Sequence, residues 1–199
     1  MNDVLQAIFS RRSVRRYMDQ PVPAELIEQL LAAAVWAPSA HNRQPWRMVV
    51  ITTPQTKHNL AAAMGERLRA DLAADGVSAE AIERDATRSY GRLTGAPLLI
   101  VMCLTMADMD TYPDGQRQRN EWTMAAQSVA MAGQNVLLAA HSLGLGACWV
   151  CAPLFCPDVV QSVLNLPADW QPLGLITAGY PAETKQKERR PLAGSVLYR

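Results

Sequence analysis

The sequence predicts a single α+β domain over residues 1–199, with one sheet and helices packed around it. Three observations carry this expectation. A chain of 199 residues that is 49% hydrophobic and 19% charged can bury one sizeable core and is short for two. Its strand-length apolar runs number four or five and are interleaved irregularly with helical patterns, unlike a regular βαβ alternation. No repeat period, low-complexity tract or Gly/Ser linker marks a domain boundary.

The elements follow in order. Asp3–Ser10 opens with an N-cap candidate and sets Val4, Leu5, Ile8 and Phe9 at helical spacing. A second helix starts near Pro23, a favoured first-turn residue. It carries Leu26, Ile27, Leu30, Leu31 and Ala34 and must end before Pro38. Trp46–Thr52 (WRMVVIT) is expected as a buried strand. Pro54 opens a helix to about Ala74, closed by Asp75-Gly76, and Ser78 caps another, mostly exposed, to about Leu93. Pro97–Leu104 (PLLIVMCL) is strand-like, and a loop rich in Asp, Pro and Gly follows over Asp108–Gly115. A long helix from Arg117 to Leu143, stopped by Gly144, would run roughly 40 Å. Its small residues Ala126, Ala130, Gly133 and Ala140 suit either core packing or a contact between subunits. Ala147–Cys151 is strand-like, Pro157–Leu164 a short helix, and Leu173–Tyr180 (LGLITAGY) the last strand. From Glu183 the chain is basic and polar up to Leu192.

Charge and composition exclude several classes. The formal net charge is +1, so no global positive field draws the chain to nucleic acid or an anionic membrane. The most apolar long segment, Met124–Leu145, is interrupted by Gln127, Ser128, Gln134, Asn135 and His141, which marks a buried helix and not a membrane span. The opening MNDVLQAIFSRRS has no apolar stretch fit for an export signal. Four cysteines without such a signal point to reduced thiols in the cytoplasm.

Against that neutral background, RRSVRRY (Arg11–Tyr17) places four arginines within six residues. Three readings apply. Arg11 and Arg12 can complement the dipole at the end of the first helix. A basic cluster can bind nucleic acid, although the basic domain and interleaved aromatics that go with it are missing. Or guanidinium forks, the Ser13 hydroxyl and backbone N–H groups can surround a compact anion, a phosphomonoester better than a carboxylate because three oxygens need several donors. A second basic cluster, Lys185–Pro191 (KQKERRP), would address the same phosphate if the last strand returns it beside the first; otherwise it is a solvated tail.

Other templates fail. Cys148 and Cys151 form a C-x-x-C, but in an apolar strand-like run without a helix start or nearby histidines. Redox and zinc chemistry are therefore disfavoured, no metal site is expected, and buried structural cysteines are. Gly144-Leu145-Gly146 lacks the third glycine of a dinucleotide fingerprint, with Trp149 in its place. No P-loop, H-E-x-x-H or G-x-S-x-G occurs, and of the three histidines only His41 has a suggestive setting.

RRSVRRY, then PSAHNRQPW at 38–46, GLGACWVCAP at 144–153, and GYPAE at 179–183 followed by ERRPL, together resemble the FMN-dependent nitroreductase family. The resemblance spans essentially the whole chain in the right order; Tyr17 stands where Phe is common. It implies a central, mostly antiparallel sheet flanked by helices and an intertwined homodimer with FMN at the interface. Arg11, Arg12 and Ser13 would hold the FMN phosphate, joined by Arg189, with Val14 in the same cradle. Arg15 would face the N1–C2 edge of the flavin, where a fixed cation stabilises the charge that reduction creates. Pro38, Ser39 and Asn42 would reach the ring region from the partner chain, and backbone around Val150 and Cys151 would face flavin N5. No catalytic side-chain acid is implied. NAD(P)H or another reductant and then an organic acceptor, such as a nitro, quinone or conjugated-imine compound, would use one flavin face in ping-pong order.

Three further segments, at 111–121, 154–174 and 74–85, resemble one subgroup, the flavin-reductase domain of coenzyme F-420 biosynthesis, which reduces a dehydro precursor of that deazaflavin. The ligase domain fused to some members is not in this sequence. In that subgroup reading, 71–90 and 108–119 would form a substrate lid, with Arg84, Arg88 and Arg119 toward an anionic acceptor or simply on exposed helix faces. A non-catalytic flavin carrier or redox sensor is the competing class.

Overall fold

The computed structural model describes residues 3–184 and 186–199. Met1 and Asn2, at the start of the segment read for an export signal, and Lys185 of the second basic cluster lie outside the described residues. The chain runs α1 (Asp3–Ser10), α2 (Ala24–Val35), β1 (Trp46–Ile51), α3 (Pro54–Ala74), α4 (Ala79–Thr94), β2 (Leu98–Leu104), α5 (Gly115–Ser142), β3 (Gly146–Val150), α6 (Pro157–Leu164) and β4 (Gln171–Gly179). Short 3-10 turns occupy Ala40–Asn42 and Ala152–Phe155. Side chains start two helices: Ser78 Oγ accepts from Ala81 N and Asp114 Oδ1 from Arg117 N. Gly144, at φ +77°, stops α5.

The four strands lie in the order β1-β2-β4-β3, each pair antiparallel. β2 is the central strand in packing terms. Every residue of Leu98–Leu104 is buried, because helices cover both faces of the sheet. Leu98, Ile100, Met102 and Leu104 point into one core with Leu30 and Ala34 of α2 and Val129, Val136 and Ala140 of α5. Leu99, Val101 and Cys103 point into the other, with Leu60 and Met64 of α3, Leu93 of α4 and Val160 of α6. The alternation follows from the two-residue period of a strand. No described helix is long and apolar enough to cross a membrane.

The small residues of α5 do not share one contact. Gly133 and Ala140 are buried within the domain, Ala126 is half-buried and Ala130 is exposed.

Tyr17 fastens the arginine segment to the sheet. Its hydroxyl lies 2.6 Å from the Val14 carbonyl and 2.7 Å from Thr177 Oγ1, and burial raises its pKa, with the hydrogen bond to Thr177 acting in the opposite sense. Tyr17→Phe should therefore lower stability by about 1–2 kcal/mol, the range for orphaning a buried hydrogen-bonding group. The measurement is the urea midpoint at unchanged m-value; an unmoved midpoint would mean water replaces the phenol.

Candidate functional site

After α1 the chain leaves in extended form along the free edge of β3. Ser13 bridges Ala147 in parallel, and Val14 N donates to the Ala147 carbonyl at 3.1 Å. Val14 is buried against Gly146, where an added Cβ would lie 2.7 Å from Val14 Cγ1. With Val14 turned inward, the two-residue alternation turns Ser13 and Arg15 the other way.

The far end of the chain returns to this segment. Met18 N donates to the Tyr180 carbonyl at 2.8 Å, Ala182 N to the Arg16 carbonyl at 3.0 Å, and Arg15 N to Glu183 Oε1 at 2.8 Å. The return brings Lys187 and Arg189 beside Arg12, Ser13 and Arg15, and these five line a cavity of about 120 Å³. Arg11 lines the neighbouring cavity, about 290 Å³, with Ser10, Arg12, His141 and Glu183.

Concentrated positive charge leaves its mark. Burial lowers the pKa of Arg11, and repulsion from Arg189 and then Arg12 lowers it further. Arg12 Nη1 donates to the Phe9 carbonyl at 2.6 Å, so the helix-end role expected for it is realised. Yet among the described residues two buried side-chain donors have no hydrogen-bond partner, Arg11 Nη1 and Arg12 Nε. Buried donors of this kind are rare unless something else accepts from them.

His141 joins the cluster from α5. Ser10 Oγ donates its single proton to the Gln6 carbonyl at 2.6 Å, so the 2.7 Å contact with His141 has the imidazole Nε2–H as donor. Burial, then Arg11 and Arg12, lowers the His141 pKa, which favours the neutral ring over the imidazolium.

Pro38, Ser39 and Asn42 lie elsewhere. Their loop is anchored to the middle of α5 through Ala40 N and Ser128 Oγ at 3.3 Å, and Ser39 Oγ accepts from Gln44 N at 3.0 Å. From Ser128 to His141 the helix rises roughly 20 Å, so this chain does not bring the loop to its own arginines. His41, Asn42 and Gln44 have φ of 48°, 54° and 51°. Such left-handed non-glycine backbone is stored strain and concentrates at functional loops.

Val150 ends β3 half-buried, and Cys151 begins the turn beyond it. Here the expectation of buried cysteines is corrected. Cys103, Cys148 and Cys156 are buried, but Cys151 is exposed, because the strand ends before it and Pro153 bends the chain into a 3-10 turn. Trp149 Nε1 donates to Cys151 Sγ at 3.2 Å. Burial pushes the Cys103 thiol up to about 12 and raises that of Cys156. Titration of the native protein with an aromatic disulfide should find one fast thiol, Cys151, and all four after unfolding. A Cys151→Ser variant that keeps the fast phase would contradict this assignment.

Arg84, Arg88 and Arg119, read either toward an acceptor or on exposed helix faces, are exposed and engaged on their own helices. Arg84 pairs with Glu80 at 3.9 Å and Arg88 with Asp85 at 2.8 Å, while Arg119 donates to Gln116 at 3.1 Å.

Three residues of the site escaped the sequence reading. Glu183 lay inside the quoted GYPAE and Lys187 inside the second basic cluster, so their motifs carried a signal. His141 had none: it meets Arg11 only because α5 ends beside α1.

Comparison with known proteins gives a consistent answer. The family model described as Nitroreductase family matches residues 8–180. An NADH dehydrogenase of Thermus thermophilus is 33% identical over 226 residues, covering 99% of this chain and 96% of that protein. A Methanothermobacter thermautotrophicus protein, provisionally named NADH dehydrogenase/NAD(P)H nitroreductase, is 34% identical over 91% of this chain and 78% of its own length. Among solved structures, a provisionally named nitroreductase of Desulfovibrio desulfuricans, determined in complex with FMN, superimposes with a TM-score of 0.77 at 31% identity. It covers 100% of this chain and 98% of that one. A BluB-like flavoprotein from Clostridium difficile 630 shares the fold with a TM-score of 0.82 at 23% identity, over 98% of each chain. With the arginine motif and all four strands inside residues 8–180, the chain belongs to the nitroreductase family and is an oxidoreductase.

Proposed function

We propose that this protein is an FMN-dependent oxidoreductase that passes hydride from NAD(P)H to an organic acceptor of the nitro, quinone or conjugated-imine class. One observation carries the reading. Cations from both ends of the chain line adjoining cavities, and two buried guanidinium donors there, Arg11 Nη1 and Arg12 Nε, lack a hydrogen-bond partner. Phosphomonoester oxygens suit such donors. In this reading Arg11, Arg12, Ser13 and Arg189 hold the phosphate, Val14 fixes their backbone on β3, and Arg15 faces the N1–C2 edge of the ring.

Bound FMN would supply the two-electron chemistry, with N5 as the hydride carrier. The chain's own residues position and polarise. Backbone at Val150 and Cys151 would border the reactive edge of the ring, and Arg15 would stabilise negative charge on it. Reductant and acceptor would use that site in turn, which is ping-pong order. Pro38, Ser39 and Asn42 reach the ring from a second subunit, and two features support a homodimer. That loop lies roughly 20 Å along α5 from its own arginines. And α1 buries none of its residues, leaving Phe9 60% exposed, as Trp36 is at 86%.

The purified protein should be yellow, with one FMN per subunit, and should oxidise NAD(P)H when a quinone or nitroaromatic is added. Colourless protein that takes up no FMN on reconstitution would refute the reading. The narrower assignment, reduction of the dehydro precursor of coenzyme F-420, rests on the resembling segments at 74–85, 111–121 and 154–174. Local pairing of Arg84, Arg88 and Arg119 favours the broader acceptor class. Reduction of that precursor in preference to quinones would reverse this.

A further inference from the structure

We infer that Glu183 is a positioning residue that sets the protein's preference for phosphorylated over unphosphorylated flavin. This inference rests on the FMN reading and deepens it. Glu183 Oε1 accepts from Arg15 N at 2.8 Å, adding a side-chain bond to the backbone stitches at Met18–Tyr180 and Arg16–Ala182. Glu183 is half-buried, and among the described residues it is the only acid lining either cavity. The residues that follow carry Lys187 and Arg189 to Arg12, Ser13 and Arg15.

Without such a pin, the tail has a reason to leave. Arg11 and Arg189 line adjoining cavities that share Arg12, and burial and then repulsion from Arg189 lower the Arg11 pKa. The carboxylate opposes that repulsion, while its bond to Arg15 N fixes where the tail turns. Glu183 therefore acts on the phosphate through Arg189 and Lys187, without touching it. Riboflavin, which has the same ring and no phosphate, should be indifferent to the pin.

The experiment compares FMN and riboflavin affinity, by flavin fluorescence quenching, in the wild type, Glu183→Ala, Glu183→Gln, Arg189→Ala and the Glu183→Ala/Arg189→Ala double variant. Glu183→Ala should weaken FMN binding roughly tenfold, as for loss of a charge-assisted hydrogen bond, and leave riboflavin binding within about twofold. Glu183→Gln keeps a carbonyl acceptor for Arg15 N but not the charge that offsets the arginines, and should recover only part of the loss. The double variant should bind FMN no more weakly than Arg189→Ala alone, because the two residues act in series. Equal losses for both flavins, or additive losses in the double variant, would overturn the positioning role. Should Glu183→Ala not fold, a Glu183→Gln variant with wild-type melting and an unchanged FMN-to-riboflavin ratio would overturn it equally. A wild type that binds neither flavin would instead refute the FMN reading itself.

Discussion

Gly174→Ala should lower the unfolding free energy by about 3 kcal/mol, the upper range for forcing a methyl group into a packed interior, and Tm by roughly 6–12 °C. Gly174 lies on β4, between β2 and β3. A Cβ there would sit 2.5 Å from Cζ2 and 2.7 Å from Cε2 of Trp149. On α5, a Cβ at Gly133 would sit 2.3 Å from Cζ3 of the same ring. The indole is thus held between two glycine backbones. Moving away from one brings it against the other. Thermal melts of Gly174→Ala in wild-type and Trp149→Phe backgrounds test the cause. The smaller ring should absorb the methyl, giving a coupling above about 1 kcal/mol. A loss below about 0.5 kcal/mol, or strict additivity, would show that the ring has room to shift. The slot also bears on the site, because Trp149 precedes Val150 and donates to Cys151 Sγ.

The second large effect falls on binding. Arg11→Met should weaken FMN binding by about tenfold to a hundredfold, while the flavin-free protein becomes no less stable. The two halves of this expectation have one source. Arg11 is disfavoured by burial and by repulsion from Arg189 and Arg12, and its Nη1 has no hydrogen-bond partner among the described residues. A group in that state adds little to the fold by itself, and a bound phosphate would reverse each of those deficits. Isothermal titration with FMN, together with melting of the flavin-free variant, measures both halves. The affinity loss should shrink at high salt, which screens charge. Lowered flavin-free stability with intact FMN affinity would make Arg11 a structural residue of the α1 end.

Much of the fold was legible in contiguous residues. Pro157–Leu164 is the short helix its residues implied, opened by a first-turn proline and followed by the left-handed Asn165. PLLIVMCL announced a strand, and the structure buries it on both faces. β4 was expected from Leu173 but begins at Gln171, where Pro172, which has no N–H, pairs opposite a register shift between Met102 and Cys103. Consecutive Met102 and Cys103 pair with Gly174 and Pro172, so Leu173 is the extra residue on β4, and only the pairing with β2 reveals it. Gly133 looked like one member of a small-residue stripe, and only the packed Trp149 explains why it has no side chain.

The candidate site divides along the same line. The sequence alone determined the element types, the caps and the presence of two cationic clusters, because helical and strand periods, turn residues and charge runs are written in neighbouring positions. Tertiary structure alone decided that Arg15 and Glu183, 168 residues apart, share a hydrogen bond. It also decided that His141 meets Arg11 and that the Pro38–Asn42 loop stands away from both. Those outcomes depend on how β3 and β4 pair and where a long helix ends, and strand register is settled by which faces are buried together in the folded chain.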